Sequence, residues 1–131
     1  MLRKVLAVIA ALVVNMVVVM AVEYAGHALF PITVDMSDRA SAAAAIAAAP
    51  FGAKAMVLLA WLLAALAASV TCWLVSGKAR EFALVGVIWT ILGVLATQAM
   101  IPHPVWMIAL GVFGPIVIGL LVPRILPARG V

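Results

Sequence analysis

Five side chains that could do chemistry fall at the ends of long apolar segments. Glu23 and His27 are four residues apart, so a helix places them on one face. The others are at the start of a second segment, at the end of a third and in the connection that follows it: Lys54, Gln98 and His103. Segments that cross a membrane in alternating directions bring all five to one boundary. We therefore predict an outer polar cluster.

This cluster is compatible with several kinds of site. Glu23, His27 and His103 form an acceptable ligand set for zinc or a similar divalent ion. The two histidines could instead hold a haem between helices, and a boundary carboxylate suits proton exchange. The structural alternative is an ion pair of Glu23 with Lys54 or His27, with His103 facing water. No cofactor is predicted, and a divalent metal or a haem stays an alternative.

Motifs for catalysis are not found. Ser69 and Thr71 have no histidine near them, and the sequence has neither a glycine-rich phosphate loop nor HExxH. Cys72 is the only cysteine, so an intramolecular disulfide is excluded. The methionines occur singly or as the pair Met16 and Met20, which favours core packing over copper binding. We expect a protein that is not an enzyme.

The elements that must position the cluster are membrane spans. The chain has 131 residues, of which 9% are charged, against about 25% in soluble domains. Runs without Asp, Glu, Lys or Arg cover 5–22, 55–75, 82–100 and 105–122. Each is long enough to cross a bilayer as a helix. We predict one domain over 1–131, an all-α, integral membrane four-helix transmembrane bundle in up-down-up-down order, with helices at about 5–29, 55–76, 82–100 and 105–122.

The basic residues predict the orientation of the bundle. Those at the two termini and between the second and third runs are Arg3, Lys4, Lys78, Arg80, Arg124 and Arg129, whereas the remaining connections carry only Arg39 and Lys54. Basic residues concentrate in cytoplasmic loops. We predict a multi-pass protein of the cell inner (cytoplasmic) membrane with both termini cytoplasmic. Its first run is too long for an ordinary signal-peptide core.

The connections predict local structure. Alanines after Asp38 favour a short outer helix at about 38–49, with Ser37 as its N-cap, and Pro50 ends it. Gly77 is the C-cap candidate of the second span. Pro102 and Pro104 make the third and fourth spans antiparallel neighbours.

Small residues at helical spacing mark predicted contact faces. They are Ala60, Ala64 and Ala68 in the second span, Gly86, Thr90, Gly93 and Thr97 in the third, and Gly111, Pro115 and Gly119 in the fourth. Small residues let membrane helices approach closely. The faces fit packing within one bundle and packing between copies equally well.

Two segments carry a resemblance, Glu23-x-x-Gly26-His27-x-x-Phe30-Pro31 and Ile101-Pro102-His103-Pro104-x-Trp106. Together with Pro50-Phe51-Gly52 and Trp61, they make the chain similar to a group of small uncharacterised bacterial four-span inner-membrane proteins. The resemblance implies the four-span topology and no activity.

Three functional hypotheses follow. The first is a non-enzymatic assembly or accessory component that packs through its glycine and alanine faces with copies of itself or a larger membrane complex. The second is a small transporter or channel subunit with an outer polar site at Glu23, His27 and His103. The third is a metal- or haem-binding redox protein. The basic residues flank the spans and form no separate tract, so lipid is the expected partner and nucleic acid is not.

Overall fold

The computed structural model describes residues 1–35 and 37–126, and every regular element in those ranges is an α-helix. The helices are α1 (Leu2–Leu29), α2 (Arg39–Ala48), α3 (Phe51–Val75), α4 (Arg80–Met100) and α5 (Val105–Ile125). By length and composition, α1, α3, α4 and α5 can each cross a membrane. The predicted all-α bundle is therefore confirmed. Arg129 of the predicted basic flank lies outside the described residues.

Several helices extend beyond the apolar runs. α1 begins at Leu2, so Arg3 and Lys4 are in its first turn. α3 begins at Phe51, directly after Pro50, and Lys54 is therefore already helical. α5 runs through Pro115 and continues to Ile125. Hydropathy locates the lipid-crossing part of a helix, whereas these ends are set by the neighbouring prolines and caps.

The short helix α2 is capped by Asp38, and the predicted cap at Ser37 is wrong. One oxygen of Asp38 accepts a hydrogen bond from the Ala40 N–H at 3.0 Å, and the other accepts one from the Ser41 hydroxyl at 2.7 Å. Ser37 instead donates its hydroxyl to Asp35 at 2.6 Å. The two oxygens of the Asp38 carboxylate each accept from a different donor of the first turn, and their negative charge is favourable at the positive end of the helix dipole.

The bundle is organised around α3. This helix packs against α1, α4 and α5, while α4 packs against α5 and, less extensively, against α1. α1 and α5 consequently lie on opposite flanks of the α3–α4 pair. Ala7 and Ala11 of α1 are buried against Ala68 and Cys72 of α3. Such close-packed small residues hold membrane helices together where the hydrophobic effect contributes little.

The turn after α3 confirms the prediction for Gly77. Its φ of 91° is left-handed, and its N–H donates to the Leu74 carbonyl at 3.1 Å. The N–H of Lys78 donates to the Trp73 carbonyl at 2.7 Å. This pair of bonds is the Schellman arrangement, in which glycine avoids the strain of a Cβ.

The start of α1, the end of α3, the start of α4 and the end of α5 meet at one end of the bundle, which we call the basic end. It carries Arg3, Lys4, Lys78, Arg80 and Arg124. Arg3 Nε donates to the Val75 carbonyl at 2.7 Å and so caps α3.

At the opposite end, cations also cap helices other than their own. Arg39, the first residue of α2, donates to the carbonyl of Ala99 near the end of α4. Lys54 Nζ donates to the Ala47 carbonyl at the end of α2, at 3.1 Å. These two hydrogen bonds hold α2, which lies in the connection between α1 and α3, against the bundle.

Aromatic residues of the resembling segments pack at this same end. Phe30 covers Gly52 so closely that a Cβ there would lie 2.5 Å from its ring. Phe51 stacks on Trp106 with ring centroids 6.0 Å apart. Phe30 and Gly52 therefore join α1 to α3, and Phe51 and Trp106 join α3 to α5.

Candidate functional site

Three members of the predicted polar cluster have structural partners. Lys54 caps α2, as described above. Gln98 accepts a hydrogen bond from the His103 N–H through its Oε1 at 2.7 Å, which closes the turn between α4 and α5. The side chains of Lys54 and Gln98 therefore stabilise the connections between helices at the end of the bundle opposite the basic end.

His103 lies against the bundle, and the prediction that it faces water is wrong. Its half-buried ring meets the Trp61 ring edge-on, with centroids 5.5 Å apart. Nδ1 donates to the Ile101 carbonyl at 2.7 Å. Burial lowers the pKa of His103 below its ordinary value.

Glu23 and His27 share one exposed face of α1. Within residues 1–35 and 37–126 neither side chain makes a hydrogen bond or an ion pair, so the predicted ion pair of Glu23 with Lys54 or His27 is not formed. The same residues contain no group of three His, Cys, Asp or Glu side chains placed to hold a metal ion. A metal site at Glu23, His27 and His103 stays a prediction without a preformed ligand set.

Glu23 lines a groove between α1 and α4, which we call the lateral groove. Its volume is about 240 Å³. α1, α3 and α4 all contribute to it, through Asn15, Met16, Val19, Met20, Glu23, Trp61, Thr90, Gly93, Val94 and Thr97. α1 and α4 pack together less extensively than α3 packs with its neighbours, and the groove between them is open on one side.

The deep part of the lateral groove contains a buried polar pair. Thr90 donates its hydroxyl to Asn15 Oδ1, and only 7% of Asn15 is exposed. The Asn15 amide N–H groups make no hydrogen bond within the described chain, and their nitrogen is not fully enclosed by protein. An unpaired amide is costly in an apolar medium. The groove therefore presents a hydrogen-bond donor at its deep end.

Gly93 provides the free space in the lateral groove. A Cβ at this position would meet nothing within 4 Å. At Gly86 it would lie 2.5 Å from the Ala68 carbonyl oxygen, and at Gly111 it would lie 2.8 Å from the Trp61 ring. Gly93 is thus the α4 glycine that does not serve a helix contact.

The other small-residue faces lie inside the bundle. Ala60, Ala64 and Ala68 are fully buried. Gly119 packs on Leu84, with 3.0 Å between its added Cβ and that side chain. The alanine face of α3 and Gly119 of α5 are therefore used for contacts between helices of one bundle.

The sequence contains a signal for the groove, of which the α4 part is the predicted contact face and the α1 part was not recognised. Asn15, Val19 and Glu23 are spaced by four residues and form one stripe of α1. Thr90, Gly93 and Thr97 form the matching stripe of α4. Both stripes combine small or polar residues within apolar helices, and such residues face protein or a cavity more often than lipid.

The fold and these sites define a small helical protein with four helices that can cross a membrane and a groove open between α1 and α4. Comparisons with models of protein families, with curated proteins and with solved structures found no match.

Proposed function

We propose that this membrane protein is a non-enzymatic binding protein or transport subunit whose lateral groove holds an amphipathic molecule with a cationic head. The observation that carries the proposal is the pair of unpartnered polar groups in one apolar groove. These groups are the Asn15 amide and the Glu23 carboxylate. The proposal develops the transporter hypothesis, with Glu23 retained and Asn15 in place of the predicted His27 and His103.

The spacing of the two groups defines the ligand chemistry. Asn15 and Glu23 are separated by eight residues, which in an α-helix is about 12 Å. Glu23 favours a cation or a strong donor, and the Asn15 amide favours an acceptor such as an ether, ester or hydroxyl oxygen. Met16, Met20 and Val94 supply apolar walls between them. An alkyl ammonium amphiphile with an acceptor group along its chain has this pattern.

The burial of the glycine and alanine faces argues against the assembly hypothesis in its original form. The lateral groove is the surface on which a further helix or a small molecule can still be seated. If the basic end is cytoplasmic, as the distribution of arginine and lysine predicts, Glu23 lies at the outer leaflet. A ligand then enters the groove sideways from that leaflet.

Binding of matched amphiphiles tests the proposal. The full-length protein in phosphatidylcholine nanodiscs is dialysed against decylammonium or decyl sulfate, which differ in head-group charge. We expect saturable binding of the cation, about tenfold tighter than the anion, as one charge-assisted contact provides. Glu23→Gln should remove the difference. Glu81→Gln, the same change at the basic end, should not.

A variant that fills the groove distinguishes binding in the groove from nonspecific partitioning of the amphiphile into the bilayer. Gly93→Leu places a side chain in open space, so the fold should persist while binding of the cation falls at least tenfold. Ala96→Leu, on an exposed part of α4 outside the groove lining, is the matched control. Equal binding of both amphiphiles, or binding unaffected by Gly93→Leu, would refute the proposal. Tight self-association that only Gly93→Leu abolishes would assign the groove to a second copy instead.

A further inference from the structure

A second cavity lies at the basic end, far along the bundle from the lateral groove. It has a volume of about 190 Å³ and is formed by the first turns of α4 and the last turns of α5. Its lining consists of Arg80, Glu81, Leu84, Gly119, Leu120, Pro123 and Arg124. We call it the arginine pocket.

The cations of the basic end fall into two groups. Arg3 is bonded to a carbonyl of α3, while Lys4 lies 5.7 Å from the centroid of the Phe82 ring and Lys78 lies 5.8 Å from that of Trp73. Arg80 and Arg124 make no side-chain hydrogen bond, ion pair or ring contact within the described residues. Both of these arginines line the arginine pocket, although they come from different helices.

The pocket offers further groups that suit an anion. α4 begins after Ala79 without a side-chain cap, so the N–H groups of its first turn lack an acceptor from a capping residue. The positive end of the helix dipole lies at the same place. Glu81 is the one carboxylate in the lining, and with two arginines it leaves a net charge of +1 (2 − 1).

The remaining walls are apolar. Leu84 and Leu120 lie one helical turn further from the basic end than Arg80 and Arg124, and Pro123 also belongs to the lining. A soluble anion gains nothing from such walls, whereas a lipid can lay an acyl chain along them. Basic pockets between membrane helices at the cytoplasmic boundary are known to accept anionic headgroups.

We propose that the arginine pocket binds an anionic membrane lipid. Arg80 and Arg124 hold the phosphodiester of its headgroup, and an acyl chain lies against Leu84 and Leu120. This site is independent of the lateral groove and of any ligand bound there.

Native mass spectrometry of the full-length protein tests the assignment. The protein is released from nonionic micelles that contain phosphatidylglycerol or phosphatidylcholine of the same acyl chains. We expect one phosphatidylglycerol to be retained and phosphatidylcholine to be lost. Arg80→Gln and Arg124→Gln should each weaken retention about fivefold, which corresponds to about 1 kcal/mol per arginine. Lys78→Gln removes the same charge from the same end and should have little effect.

Glu81→Gln provides a test that misfolding cannot imitate, because it should strengthen binding. A loss with Lys78→Gln as large as with Arg80→Gln would show general surface charge and overturn the site. Equal retention of both lipids would do the same. Displacement of phosphatidylglycerol by millimolar inorganic phosphate would identify a soluble anion as the ligand and overturn the lipid assignment.

Discussion

The contrast between Gly86 and Gly93 yields a quantitative prediction for the stability of the bundle. A Cβ at Gly86 would lie 2.5 Å from the Ala68 carbonyl oxygen and 2.8 Å from Ser69 Cα. Normal contact begins near 3.4 Å, so Gly86→Ala must separate α3 from α4 by about 0.9 Å (3.4 − 2.5). Overpacking of this kind costs about 1–3 kcal/mol.

A neighbouring hydrogen bond adds to this cost. Ser69 donates to the Ala83 carbonyl at 2.8 Å across the same contact, and such bonds between membrane helices contribute about 0.6 kcal/mol. The helix propensity gained on replacing glycine by alanine, about 1 kcal/mol in water, is common to Gly93→Ala and cancels in the comparison. Gly86→Ala should therefore be less stable than Gly93→Ala by about 1.5–3.5 kcal/mol.

Reversible unfolding in mixed micelles with increasing dodecyl sulfate, followed by circular dichroism, measures this difference. Thr97→Ser serves as a mild control in the same helix. If both glycine variants unfold at the same detergent fraction, α3 and α4 do not make the close contact described here. The argument that Gly93 is free to shape a groove would then lose its basis.

Three further predictions concern the ends of the bundle. Arg3→Ala should lower stability by about 0.5–1 kcal/mol in the same unfolding assay, because the Val75 carbonyl loses its cap; an unchanged midpoint would contradict the bond. The Ser41 hydroxyl and the Ala40 N–H lower the pKa of Asp38. Protection of α2 amides from hydrogen exchange should therefore be complete above the ordinary aspartate pKa and be lost as pH falls through the lowered pKa of Asp38. Asp38→Asn should abolish this pH dependence. Burial lowers the pKa of His103, so stability should fall as pH drops from about 6.5 through that lowered value, and a His103→Leu variant with the same dependence would refute the assignment.

The spans were predictable because each depends on local composition alone. A run without charged residues excludes water as its surroundings, and no knowledge of its neighbours is needed. The glycine turn after α3 is local in the same sense. Gly77 was recognisable because a left-handed residue is needed where one helix ends within a few residues of the next.

The polar cluster was predicted only in part, since convergence of its members depends on how each helix is rotated about its axis. The four-residue spacing of Glu23 and His27 places both side chains on one face of α1, and both are exposed. Nothing in the sequence fixes whether Lys54 turns toward α1 or back to the carbonyls of α2. The Lys54 ammonium bonds to the nearby carbonyl of Ala47, which has no partner within α2, and not to the more distant Glu23 carboxylate.

The bond between Asn15 and Thr90 has a consequence for the order of biosynthesis. The two residues are 75 positions apart, and a ribosome adds about 5–20 residues per second. Asn15 is therefore made about 4–15 s before its partner. Once α1 has entered the bilayer, the Asn15 side-chain oxygen lacks its donor until α4 follows, and anything that shelters this group, whether a lipid, a ligand or the insertion machinery, guides the nascent chain toward its final arrangement.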